Sequence, residues 1–350
     1  MKRHVELRTP QTDFADFTSM LGQAWGVTSG EPLVQYLAWC ETAGVFAALS
    51  RGTSVTPEDI AAETSLHPRA VDALLCILAS LKLVERGEDT SGILSSLGRE
   101  YLLKESPFYI GDALYLKCGK ALPEGYLARD SGNIERNSPV GLLLPPDKRL
   151  RVQHSRNFAP SIVASRTGIL GGFQHVLDIA GGSGVFSIPL ALDHPHLRIT
   201  LVEVPEVVSS TKEILALYGV EDRVTILARD IFTDEWDFGK CDCVFFGNFF
   251  HCNDDEACQF LCTKSFETLS ENGKIWVHEV LLNEGRDGPL IAALWNAIMV
   301  ARNPKAGQRT ATELFRIMKR SGFENFCCRP TVGGFSLLES SKISHVRALG

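Results

Sequence analysis

The chain has 350 residues, 45% apolar and 22% charged, the proportions of a globular protein with room for two domains. A net charge of −7 offers no long-range attraction to nucleic acid or to an anionic membrane. No apolar run approaches the roughly 18 residues of a membrane span. The first residues, MKRHVELRTPQTDFADF, lack the apolar stretch of a signal peptide, so a cytoplasmic protein is expected.

Residues 33–49, LVQYLAWCETAGVFAAL, have the spacing of one amphipathic helix. Thr56-Pro57 opens a short helix, with threonine as cap and proline in the first turn. His67-Pro68 opens a longer one over RAVDALLCILASLKLV, with apolar residues at 71, 74, 75, 78, 81 and 84. Residues 85–100 are polar and turn-rich with short β-like pieces, which completes a winged-helix pattern. Between 31 and 104 six basic residues stand against ten acidic ones. The unit therefore lacks the positive footprint that a phosphate backbone requires, and a protein-contacting role is expected. From 106 to Pro123 the chain reads as helix, 132–147 as a loop, and 148–170 as helix again. Residues 105–170 are thus expected to form connecting helices over a pocket.

From 175 the pattern changes to strands alternating with helices. HVLDIA (175–180), RITLVEV (198–204), VTILARDI (224–231), CVFFGNFF (243–250) and KIWVHEVL (274–281) read as strands. Helices are expected from the glycine turn to about 193, over 206–219 and over 255–270. This alternation predicts an α/β fold, a doubly wound parallel sheet. The C-terminal FENFCCRPTVGGFSLLES reads as a closing hairpin turning near Gly333-Gly334.

A glycine turn after the first strand marks the ligand crevice of such a sheet, and here it is Gly181-Gly182-Ser183-Gly184. Ser187 stands where a dinucleotide fingerprint has its third glycine. Asp178, two residues before the turn, would repel a pyrophosphate and favour a ligand carrying an ammonium and a sulfonium. Glu203, 25 residues after Asp178, ends the second strand, where a carboxylate can accept both hydroxyls of a ribose. Asp230 ends the third, placed for an adenine amino group with Ile231 and Phe232 flanking the ring.

With these residues the chain resembles the class I S-adenosylmethionine-dependent O-methyltransferases, of the caffeate and hydroxyindole type. VLDIAGGSG, LVEVPEVV, ARDIF, HCNDDEACQFL, ENGKIWVHEVLL, ARNPKAGQRTATEL and SGFENF stand in that family's order. The resemblance implies a sheet ordered 3-2-1-4-5-7-6 with strand 7 antiparallel, preceded by a winged-helix dimerisation domain. It divides the chain into 1–104, connecting helices over 105–170, and a cofactor-binding catalytic domain over 171–350. It implies S-adenosylmethionine as cofactor, a small-molecule acceptor and a homodimer. The cofactor set becomes Asp178, Ala180, Gly181, Gly182, Gly184, Glu203, Val204, Asp230, Ile231, Phe232, Gly247 and Asn248.

The family's catalytic histidine maps to His251, a base with an unperturbed pKa near neutrality. Its orienting acid maps to Glu279. A second family acid is Gln308 here, in Asn303-Pro304-Lys305-Ala306-Gly307-Gln308-Arg309-Thr310. An amide can hold an imidazole by hydrogen bonding but cannot stabilise imidazolium by charge. The family's His-Asp-Trp has become His251-Cys252-Asn253, and its first loop glycine is Ala180. In IAALWNAIMVAR (291–302) the spacing is that of a core helix. The resemblance puts Trp295, Asn296 and Met299 on the acceptor pocket, with Phe158 from the connecting helices.

These departures leave open methyl transfer to carbon or nitrogen, and a non-catalytic ligand-binding relative. Ten cysteines, five of them between 241 and 262, raise the question of zinc. No Cys-x-x-Cys pair is present, Cys241 and Cys243 would share one strand face, and Cys258 and Cys262 one helix face, so no metal is expected. A catalytic Cys252–His251 pair needs opposed side chains on adjacent residues and is not expected either. Asp254, Asp255 and Glu256 are expected to favour the start of the following helix.

Overall fold

The computed structural model describes residues 33–105, 146–168 and 172–343. The helix expected from 106 to 123, and nearly all of the loop over 132–147, lie outside them. The helix expected over 33–49 is two, α1 (Leu33–Ala43) and α2 (Val45–Leu49), because Gly44 turns left-handed between them at φ 87°. α3 (Pro57–Thr64) starts as expected, the Thr56 hydroxyl accepting from the Asp59 N–H. α4 (Pro68–Ser80) is buried without a break from Ala70 to Ala79. It ends earlier than its apolar spacing suggests, because Lys82 turns left-handed and Val84 enters a strand. β1 (Val84–Arg86) and β2 (Gly92–Leu94) pair antiparallel as the wing, and α5 (Ser96–Leu102) follows under a Ser95 cap.

α6 (Pro146–Thr167) leads into the sheet region. There β3 (His175–Ile179), α7 (Ser187–Asp193), β4 (Arg198–Glu203), α8 (Pro205–Tyr218) and β5 (Val224–Ala228) alternate. β6 (Cys241–Gly247), α9 (Asp255–Thr268), β7 (Leu269–Val280), α10 (Leu290–Arg302), α11 (Ala311–Arg320), β8 (Glu324–Pro330) and β9 (Phe335–Ser341) complete the chain. The seven strands run β5-β4-β3-β6-β7-β9-β8, the order 3-2-1-4-5-7-6, with β9 antiparallel to β7. α11 starts at a capping box formed by Thr310 and Glu313 and buries Leu314, Ile317 and Met318.

The parallel strands are apolar on both faces because both are covered. Val176 and Phe245 pack into one cluster with α7 and α8, while Leu177, Val244 and Phe246 pack into another with α9 and α11. Cys241 and Cys243 do not share a face. A register shift at Asp242 sends Cys241 to the second cluster and Cys243 to the first. Cys258 and Cys262 are buried in the core as expected. A third cluster joins α10 to the N-terminal helices, with Met299, Ala293 and Ala297 against the side chains of α4. Across this contact Asp72 accepts from Arg86 Nη2 at 2.6 Å and from Arg286 Nη2 at 2.8 Å, and Arg286 continues to Glu313 at 2.9 Å. No described helix is long and apolar enough to cross a membrane.

Candidate active site

The glycine loop leaves β3 at its C-terminal end. Ala180, Gly182 and Gly184 are all left-handed, with φ of 54°, 57° and 72°. Ala180 thus takes a conformation that costs an L-residue roughly 1–2 kcal/mol. Gly181 and Gly184 are required by space, since a Cβ would lie 2.6 Å from Leu201 Cγ at the first and 2.7 Å from Leu215 Cδ2 at the second. Gly247 likewise admits no side chain, because Phe186 would lie 2.3 Å from its Cβ.

The three strand-end acids differ in what they face. Glu203 turns onto the loop, accepting from Gly182 N–H and from its own neighbour Val204 N–H, each at 2.8 Å. Asp230 closes a local turn by accepting from Phe232 N–H at 2.9 Å, beyond the end of β5. Ile231 is buried in the core and Phe232 packs on Phe260, so both are engaged in packing. Asp178 is fully buried beneath the loop and bonded to Ser187 at 2.6 Å. Burial pushes its carboxyl up to about 7, against the Ser187 hydrogen bond that lowers it. Ser187, which stood in place of a dinucleotide glycine, is therefore the partner of the loop acid.

Asp178 Oδ1 and Asn248 Oδ1 are buried acceptors without a hydrogen-bond partner at adjacent strand ends. Asn248 is held left-handed at φ 57°, its N–H bonded to His278 O. Orphaned acceptors above a carboxylate suit a cationic ligand, and no positive side chain occupies this place among the described contacts of Asp178. The residues present fit S-adenosylmethionine.

After β6 a 3-10 turn, Phe250–Cys252, carries the histidine. His251 Nδ1 lies 2.9 Å from Glu279 Oε2, and the two side chains are 3% and 2% exposed. Glu279 Oε1 also accepts from Phe250 N–H at 2.7 Å, so one carboxylate fixes both the turn and the ring. The turn is held from the other side by Arg309, which donates to Phe250 O at 3.0 Å and to Asn253 O at 2.8 Å. Asp254 caps α9 as expected, accepting from Ala257 N–H at 2.8 Å. Burial presses the imidazole toward its neutral form, but Cys252 and Glu279 outweigh it and raise the His251 pKa to about 10. Cys252, the last residue of the same 3-10 turn, lies beside the imidazole and acts on it electrostatically.

Gln308 makes its side-chain hydrogen bonds to groups other than His251. With its amide turned to satisfy both atoms, Nε2 donates to Val280 O at 3.0 Å and Oε1 accepts from Trp295 Nε1 at 3.1 Å. Trp295 in turn stands edge-on to His251, ring centroids 5.9 Å apart. Of the expected acceptor residues, Trp295 is the one whose ring meets the histidine's. Asn296 is buried and accepts from Gln308 N–H at 2.9 Å, and Met299 is buried against the N-terminal helices. Phe158 belongs to the other cluster, stacked on His154 and Tyr218. Among the described residues no group of three or more His, Cys, Asp and Glu is arranged to hold a metal ion.

Residues 152–324 match the O-methyltransferase domain family. The chain belongs to this family. It is a methyltransferase that uses S-adenosylmethionine, built on the fold the resemblance implied. It is 26% identical over 268 residues to the 3-hydroxy-5-methyl-1-naphthoate 3-O-methyltransferase of Streptomyces sahachiroi, covering 73% of this chain and 76% of that one. It is 28% identical over 309 residues to the L-tyrosine C(3)-methyltransferase of Streptomyces lavendulae, covering 82% of each. An O-methyltransferase family 2 protein from Planctomyces limnophilus, solved in complex with apigenin, shares the fold with a TM-score of 0.79 at 24% identity, over 98% of this chain and 100% of that one.

Proposed function

We propose that the enzyme methylates a hydroxyl group on a small aromatic metabolite, with His251 as general base. The observation that carries this reading is the buried His251–Glu279 pair at 2.9 Å. Glu279 holds the Nδ1 proton, so Nε2 is the atom that, once deprotonated, takes the proton of an acceptor hydroxyl. As that proton arrives, the Glu279 carboxylate stabilises the imidazolium by charge and hydrogen bonding. Trp295, its N–H already bonded to Gln308, offers a flat apolar wall to an aromatic acceptor. S-adenosylmethionine supplies an electrophilic methyl group when bound. Asp178, Glu203 and Asn248 hold it, with the backbone of Ala180 to Gly184, Gly247 and the Asp230 turn shaping the cradle.

The relative that methylates carbon 3 of L-tyrosine supports a second reading, transfer to ring carbon. The same base serves it, since a phenolate shares its charge with the adjacent ring carbons. We further infer a cytoplasmic homodimer in which residues 1–104 make the partner contact and 105–170 cover the acceptor pocket ahead of the catalytic domain over 171–350. Incubation with methyl-labelled S-adenosylmethionine and a panel of phenols, hydroxynaphthoates and indoles tests the assignment. Label on an acceptor oxygen is the expected product, label on ring carbon selects the second reading, and no transfer to any member contradicts both.

A further inference from the structure

We propose that His154 is a positioning residue for the cofactor loop, through which α6 sets the shape of the S-adenosylmethionine cradle. α6 lies across the loop, with Leu150 Cδ1 3.7 Å from where a Gly182 side chain would begin. One turn on, His154 Nδ1 lies 3.1 Å from Ser183 Oγ and Nε2 lies 2.8 Å from the Tyr218 hydroxyl. The imidazole thus bridges the middle of the loop and the C-terminal end of α8. Imidazole suits this place because a neutral ring donates at one nitrogen and accepts at the other, and a hydroxyl can take either part.

The ring is itself held. Phe158 stacks on it with centroids 5.3 Å apart and planes 28° apart, and Tyr218 packs on both at 5.4 and 5.3 Å. Phe158, expected on the acceptor pocket, is the floor of this latch.

The loop needs such a restraint. Three of its five residues are left-handed, one of them Ala180. Glu203 ties the Gly182 N–H from β4, and Thr211 Oγ1 donates to Gly182 O at 2.6 Å from α8. Those two bonds fix position 182, whereas His154 fixes 183 and is the tie that comes from outside the sheet and its crossover helices. A loop held in its binding shape before the ligand arrives loses less freedom on binding. Losing the His154 bridge therefore weakens cofactor binding and leaves the chemistry at His251 alone.

His154→Phe keeps the ring stack and removes both hydrogen bonds. Calorimetry with S-adenosylmethionine and with S-adenosylhomocysteine should show dissociation constants raised about tenfold, the size of two lost hydrogen bonds. KM for the cofactor should rise with them, while kcat at saturating cofactor and KM for the acceptor stay within about twofold. Amide exchange at 181–184 in the ligand-free protein should accelerate. Tyr218→Phe and Ser183→Ala, which remove one bond each, should weaken binding about threefold and not add fully to His154→Phe. They also keep the test decisive if His154→Phe fails to fold. Unchanged dissociation constants and unchanged loop exchange in the folded variants overturn the proposal.

Discussion

The Gln308 side-chain amide takes the Trp295 indole N–H at 3.1 Å and gives its own N–H to Val280 O at 3.0 Å. An amide at this position therefore serves the Trp295 indole, and the histidine finds its carboxylate partner in Glu279. Because one face of Gln308 meets a donor and the other an acceptor, a carboxylate cannot replace it.

Gln308→Glu, which puts back the acid that the family resemblance implies, sets a buried carboxylate oxygen against the Val280 carbonyl. The expected result is a loss of about 1–3 kcal/mol of stability with no gain in turnover. Chemical denaturation alongside steady-state rates checks it. Higher turnover at unchanged stability would show that the amide does reach the base.

The His251 pKa of about 10 implies that the resting imidazole is protonated at neutral pH. kcat/KM should therefore climb with pH across the alkaline range and level off near 10. Cys252→Ala removes one of the two groups that raise this pKa, so the inflection should move down. An unshifted inflection argues against any influence of Cys252 on the imidazole. The sign for stability is the reverse. A histidine raised in the folded state contributes fully below about 6.5 and loses that contribution as pH rises through 10.

Asp178 is pushed up to about 7 by burial, with Glu203 adding to the rise. Binding a cation beside it requires the ionised form, so the proton must leave below that pH. S-adenosylmethionine affinity should weaken by up to about tenfold per pH unit below 7. Asp178→Asn should bind more weakly at pH 8 with a flatter pH dependence. Calorimetry at several pH values measures both, and a steep dependence retained in Asp178→Asn contradicts the role.

Arg286 joins Asp72 of α4 to Glu313 at the start of α11. Burial raises the Asp72 carboxyl, but Arg286 and Arg86 outweigh it and hold the carboxyl below its ordinary range. Arg286→Met takes from Asp72 one of its two hydrogen-bonded guanidinium partners and should cost about 3–5 kcal/mol, the usual loss when a buried pair is broken. Since a depressed carboxylate stabilises above its unfolded pKa, this contribution should fade as pH falls below about 4. A melting temperature unchanged at pH 7 would remove Arg286 from the link between the two halves.

The sheet was legible because buried parallel strands are continuous apolar runs broken by turn residues, as in HVLDIA and CVFFGNFF. His251 and Glu279 are singled out by the resemblance, and the turn at 250–252 brings the two side chains within 2.9 Å. The neighbours of the site were harder. Asn296 and Met299 share a helix with Trp295, but spacing alone does not say which face meets the pocket and which meets α4. The partners of Gln308 are not legible in the sequence because an amide has no charge to betray them, and Trp295 is thirteen residues away. The bulge at Asp242 is invisible to a period-2 reading, so the pairing of Cys241 with Cys243 failed. The Gly44 break and the Lys82 turn were missed for a similar reason, since one left-handed residue ends a helix whose apolar pattern continues.

The central claim is that His251 is the base. His251→Ala, assayed with the acceptor the labelling panel identifies, tests it most directly. Affinity for S-adenosylmethionine should stay within about twofold while turnover falls at least about 10²-fold. Turnover at the wild-type level, with cofactor affinity intact, would contradict the account.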